Sequence, residues 1–199
     1  MSDKYKSIDT DLDDFYTEDC NGDKPHIDDK NKPKNIAEQN QILDEIFKVA
    51  TTGNTNMFTK IVKEHKWTLN TPKIGGLSIL HMMTFMNKIS LMQILINLGA
   101  NINIIDNNEQ TPMHYAVMSN SLETVKFLIK KKADINMQDN TGNTPLHLAV
   151  INNCFDIVES LIANNVNPFI KNNNERTACD YSIIDGGIFA LLRKYINKQ

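Results

Sequence analysis

Few features of this sequence point to covalent or metal cross-links. It has only three cysteines, Cys20, Cys154 and Cys179, and no C-x-x-C pair. An odd number at wide separation argues against a disulfide framework or zinc knuckle and suits a reducing compartment. Long apolar runs are also missing, since none nears the roughly 18 residues of a membrane-crossing helix. The opening stretch MSDKYKSIDTDLDD is charged, unlike a secretory signal. The formal net charge of −3 is too small to imply a nucleic-acid or lipid partner. Together these absences predict an intracellular protein, cytoplasmic or nuclear, without membrane or nucleic-acid partners.

What remains is ordinary in bulk and uneven in layout. The 199 residues are 41% hydrophobic and 23% charged, as in a globular domain. Residues 1–35 hold ten acids against six lysines, net −4, and the rest is near neutral. This arm is polar, aperiodic and poor in aliphatics. It cannot bury enough apolar surface to offset its ordering entropy, so residues 1–35 are predicted to be disordered. Within it, Asp11, Leu12, Asp13, Asp14, Phe15 and Tyr16 mix acids with aromatics, which fits either a docking peptide or a solvated leader.

From residue 36 onward the chain repeats. Thr111-Pro-Met-His-Tyr-Ala and Thr144-Pro-Leu-His-Leu-Ala lie 33 residues apart. The same step reaches back to Ser78-Ile-Leu-His-Met-Met and forward to Thr177-Ala-Cys-Asp-Tyr-Ser. Gly99-Ala-Asn-Ile-Asn, Lys132-Ala-Asp-Ile-Asn and Asn165-Val-Asn-Pro-Phe keep the period, as do Asp106, Asp139 and Asn172. A period of this size marks stacked supersecondary units.

Each unit reads as two helices and a loop. Thr111-Pro112 suits a helix start, with a hydroxyl cap and proline at the first helical position. Met113, Ala116 and Val117 make one apolar face; Val125, Leu128 and Ile129 make a second at helical spacing. The small Ala116 and Ala149 permit close helix approach. Lys130, Lys131 and Lys132 follow where positive charge suits a helix end; a solvated terminus or a patch for an acidic partner both fit them. Asp139-Asn140-Thr141-Gly142-Asn143 has the chemistry of a hairpin-like turn. One unit cannot bury its own faces, but stacked neighbours can.

Residues 139–171, with T-P-L-H-x-A and a second apolar helix, resemble the ankyrin repeat; the resemblance extends over about 41–199. It implies an all-α ankyrin-repeat solenoid of stacked helix-turn-helix units with hairpin-like loops. The expected layout is a degenerate N-terminal cap at 36–73, middle repeats at 74–105, 106–138 and 139–171, and a C-terminal cap at 172–199. Ile42, Ile46, Val49, Phe58, Ile61 and Val62 are expected to pack the first unit, with Trp67 over its end. The first middle repeat departs from the pattern, with Met83 for the small residue and Ile79 for proline.

Catalytic chemistry finds no support. His81, His114 and His147 are evenly placed, but packed helices lie roughly 8–10 Å apart, whereas zinc needs its ligands at about 2 Å. The resemblance implies that these histidines bond the backbone of the neighbouring loop. Cys154 follows His147 by seven residues, about 10 Å along one helix, so no thiolate–imidazole pair is expected. Cys154 and Cys179 read as buried structural residues. No phosphate-binding loop or nucleophile elbow occurs. Neither an enzyme nor a cofactor or metal site is expected.

The resemblance implies protein binding through the loop tips and the concave face of the first helices. The tips are Asn107, Asn108 and Gln110, then Asn140, Thr141 and Asn143, then Asn173, Asn174 and Arg176. On the helices, the variable pairs are Phe85-Met86, Met118-Ser119, Ile151-Asn152 and Ile184-Asp185. Phe85, Met118, Ile151 and Ile184 form an apolar column, which either faces solvent as a binding stripe or tucks against neighbouring helices. Asn103 and Asn136 occupy the asparagine that hydroxylases modify in similar repeats, though their turn role explains them without modification. The function implied is a monomeric adaptor or inhibitor that binds another protein. The alternative is a regulatory or scaffold subunit of an enzyme complex, with the arm as docking or phosphorylation element. Small-ligand sensing is a further alternative.

Overall fold

The computed structural model describes Pro33, residues 35–182 and residues 186–198. The predicted disorder of the arm and the placement of Ile184 and Asp185 lie outside these residues. Among them the chain forms α-helices and short 3-10 turns and no strand. The helices are α1 (Ile36–Thr52), α2 (Thr55–Glu64), α3 (Ile79–Phe85), α4 (Ile89–Asn97), α5 (Pro112–Met118), α6 (Leu122–Lys130), α7 (Pro145–Ile151), α8 (Phe155–Ala163) and α9 (Gly186–Ile196).

Capping sets where the helices begin. The Asn35 side chain accepts the Glu38 N–H at 2.8 Å and opens α1. Ser78 and Thr144 accept the N–H of His81 and His147, while the imidazoles return to the cap backbone. This reciprocal box starts α3 although Ile79 replaces proline. After α3, α5 and α7 the chain turns through a left-handed asparagine, at Asn87, Asn120 and Asn153. Asparagine tolerates that conformation better than most residues.

Helices of seven residues such as α3, α5 and α7 are too short to persist alone, so stacking holds them. The first helices form one layer, α3 on α5, α5 on α7, and α7 on the turn Ala178–Tyr181. The second helices form another, with α2 on α4, α6 on α8 and α8 on α9. A continuous apolar core runs between the layers. Ala116 and Ala149 are fully buried, and Met83 fills the equivalent place in its own repeat. In α1 the core residues are Leu43, Ile46, Val49 and Ala50, with Ile42 half-buried beside them. Trp67 is half-buried in the turn Lys66–Leu69, edge-on to His65.

Three sets of bonds tie each repeat to the next. His81, His114 and His147 donate from Nε2 to the carbonyls of Gln110, Asn143 and Arg176, each 29 residues ahead. The Oδ1 atoms of Asn70, Asn103 and Asn136 accept the N–H groups of Asn101, Asp134 and Asn167. At the loop tips, the N–H groups of Asn107, Asn140 and Asn173 donate to the carbonyls of Gly75, Asn108 and Thr141. Gly76 and Gly142 sit where this approach is close: a Cβ there would lie 2.4 Å from the Asn107 nitrogen and 2.6 Å from the Asn173 nitrogen, respectively.

Candidate protein-binding face

The loop tips are built on a buried acceptor. Asp106 takes the N–H groups of Asn108 and Gln110 on one oxygen, and Asp139 takes those of Thr141 and Asn143. Asn172 does the same for Asn174 and Arg176. This folds each tip back on itself and points Asn107, Asn108, Asn140, Thr141, Asn173, Asn174 and Arg176 into solvent. Gln110 and Asn143 are half-buried, and the Asn143 amide is engaged with Thr141 and Asn172. The Arg176 guanidinium lies over the Tyr181 ring.

The inner-helix column faces water. Phe85 is 53% exposed, Met118 45% and Ile151 47%, so three large apolar side chains stand uncovered at one position of successive repeats. Met86 and Ser119 beside them are half-buried, and Asn152 is exposed. Phe85 meets Tyr115 edge-on with ring centroids 6.4 Å apart, and the Tyr115 hydroxyl donates to Asp106 at 2.8 Å. Burial and that carboxylate raise the Tyr115 pKa, so the phenol stays protonated as donor.

A second row, which the repeat motifs do not single out, runs beside the first. Met82, Tyr115, Leu148 and Tyr181 keep the 33-residue step and are all half-buried. Met82, Tyr115 and Leu148 lie three residues before Phe85, Met118 and Ile151, and that spacing brings helical side chains to one face. Met82 and Met86 also border an apolar cleft of about 380 Å³ with Phe47, Thr51, Lys73 and Leu77. Lys73 pairs with Asp44 and lies over the Phe47 ring. Periodicity alone could have revealed the row; the cleft depends on how α1 meets α3.

Reactive groups are held for structure. Each repeated imidazole uses Nδ1 within its own cap and Nε2 across to the next repeat. Burial lowers the pKa of His81, His114 and His147 below the ordinary 6.5, the carbonyl bonds opposing this less strongly. The Cys154 thiol is buried, which raises its pKa; Cys179 is half-buried, less enclosed than expected. In the last unit Asp180 replaces histidine and caps Thr177 through its N–H and hydroxyl. Among the described residues no helix is long and apolar enough to cross a membrane.

A stack of two-helix units, coupled through their loops and carrying an apolar row and polar tips, defines a helical repeat solenoid. A family model of ankyrin repeats in three copies matches residues 46–139, and another of many copies matches 133–182. The chain belongs to the ankyrin-repeat family, whose members are generally protein–protein interaction modules and typically non-catalytic. A search of curated proteins returns no match.

Proposed function

We propose that this protein is a non-catalytic adaptor or inhibitor that captures a partner protein on its inner-helix face and loop tips. The single observation that carries this reading is the exposure of Phe85, Met118 and Ile151 in register. A contiguous apolar surface in water is costly to maintain and marks an interaction site. Methionine lets such a surface adapt to its partner. The tips add neutral hydrogen-bonding groups at the rim, and Arg176 adds a cation, as at a typical interface edge.

The experiment is affinity capture with the full chain against Met118→Glu/Ile151→Glu. Both side chains are exposed, so each change should alter stability by no more than about 0.5 kcal/mol. The reading expects the double variant to lose a protein that the parent retains, at unchanged melting temperature. Equal capture by both would refute it.

A further inference from the structure

One face of α9 stands apart from the groove. The helix buries Ile188 and Leu192 against the stack. Its other side presents Phe189, Ala190, Arg193, Lys194, Asn197 and Lys198 around an open hollow of about 550 Å³. Phe189 is 39% exposed in it. No Asp or Glu occurs in α9. Among the described residues the ion pairs are Lys73–Asp44, Lys126–Glu123 and Lys171–Glu175, so Arg193 and Lys194 of α9 and Lys198 just after it have no carboxylate partner there. The neighbouring α8 carries Asp156 and Glu159, both exposed, and neither bridges to them.

The complementary chemistry lies in the same chain. Residues 9–19 hold Asp9, Asp11, Asp13, Asp14, Glu18 and Asp19, with no lysine or arginine, together with Leu12, Phe15 and Tyr16. Other surfaces suit this segment less. The root of the arm adjoins α1, where Glu38, Asp44 and Glu45 outnumber Lys48. The cleft beside α1 has its one cation, Lys73, already paired. At the end of α6, Lys130, Lys131 and Lys132 are likewise outside the ion pairs, but the aromatic beside them, Phe127, is half-buried and already lies under Lys131.

We propose that the outer face of α9 receives the chain's own segment 9–19. An aromatic of that segment packs on Phe189, and its carboxylates meet Arg193, Lys194 and Lys198. Tethering makes the contact intramolecular and raises its effective concentration. Reach permits it. The stretch between Tyr16 and Asn35 spans at most about 65 Å when extended. Four repeat steps at about 8–10 Å per packed helix separate α1 from α9 by roughly 32–40 Å. A relaxed coil of that length averages about 22–26 Å, so the arm must stretch. The contact is therefore weak, and because exposed charges carry it, salt disrupts it.

The test uses the full chain with a spin label on Cys20 and Cys179→Ala. Cys154 stays, because its buried, protonated thiol reacts poorly. Amide spectra should show several-fold signal loss across residues 188–198, reversed by high salt and by Arg193→Glu/Lys194→Glu. Adding Asp13→Lys/Asp14→Lys to that variant should restore the loss, which a general structural effect would not do. Unaffected α9 amides overturn the proposal. So does loss centred on residues 126–132 or 82–86, or loss in unlabelled chains mixed with labelled ones, which would put the segment on a second copy.

Discussion

The His114 imidazole donates from Nε2 to the carbonyl of Asn143, 3.1 Å away and 29 residues along the chain. Its Nδ1 accepts the Thr111 N–H at 3.1 Å, so one side chain caps its own helix and grips the next repeat. The same arrangement at His81 and His147 couples neighbouring units in series. Such nearest-neighbour coupling makes the stability of a solenoid cooperative.

His114→Ala should therefore be among the most damaging single changes. It removes the bonds to the Thr111 N–H and hydroxyl and to the Asn143 carbonyl; that carbonyl keeps the Asp139 N–H, but the buried Thr111 N–H is left unpaired, a cost of about 1–3 kcal/mol. Urea denaturation gives the value. A loss below about 0.5 kcal/mol, the range of neutral surface changes, would show that the bridge is incidental.

Acid should weaken the fold through these same groups. The unfolded histidines titrate near 6.5, and burial holds their folded values lower. As pH falls below 6.5 the unfolded chain therefore binds more protons than the folded one, and stability drops. Above 6.5 the contribution is fully present. Denaturation midpoints measured from pH 7.5 down to about 5 should fall, with a shallower slope in His114→Gln. A flat or rising profile would contradict the assignment of neutral imidazoles.

Two glycines separate backbone strain from loop contact. Gly75 and Gly142 both have positive φ, +81° and +78°, but only Gly142 faces a neighbouring backbone within 4 Å. Left-handed strain alone should cost Gly75→Ala about 1–2 kcal/mol. Gly142→Ala should cost clearly more, because its Cβ would force the loop carrying Asn173 away. Equal melting temperatures for the two variants would mean that the tips are not closely coupled.

The asparagine ladder makes a milder prediction. Asn136→Ala removes the acceptor for the Asn167 N–H at an exposed position. Water can replace it, so the cost should be near the low end of about 0.5–1.5 kcal/mol. Hydrogen exchange should quicken at Asn167 ahead of the helices. Unchanged exchange there would remove this contact from the account.

Much of the architecture could be read from the period. Thr111, Thr144, His114 and His147 recur because they perform the same capping and bridging tasks; spacing marked the positions, and the family resemblance implied the bridge. The exposure of Phe85, Met118 and Ile151 was harder to read. An apolar residue on a short helix can face a neighbour or solvent, and only the packing of adjacent helices decides. Leu43 is fully buried while Ile42 is half-buried, a register that the sequence of α1, without the capping motif of the later repeats, does not mark. The cleft between Phe47 and Met82 joins residues of two units, a relationship no single repeat encodes.

The most direct test of the account is site-specific cross-linking from the face itself. A photoreactive phenylalanine analogue placed at Met118 on the inner layer is compared with one at Lys126 on the outer layer. If the apolar column holds the partner, the probe at Met118 joins a discrete second protein and the probe at Lys126 does not. Cross-linking from Lys126 with none from Met118 would place binding on the opposite layer and contradict the account.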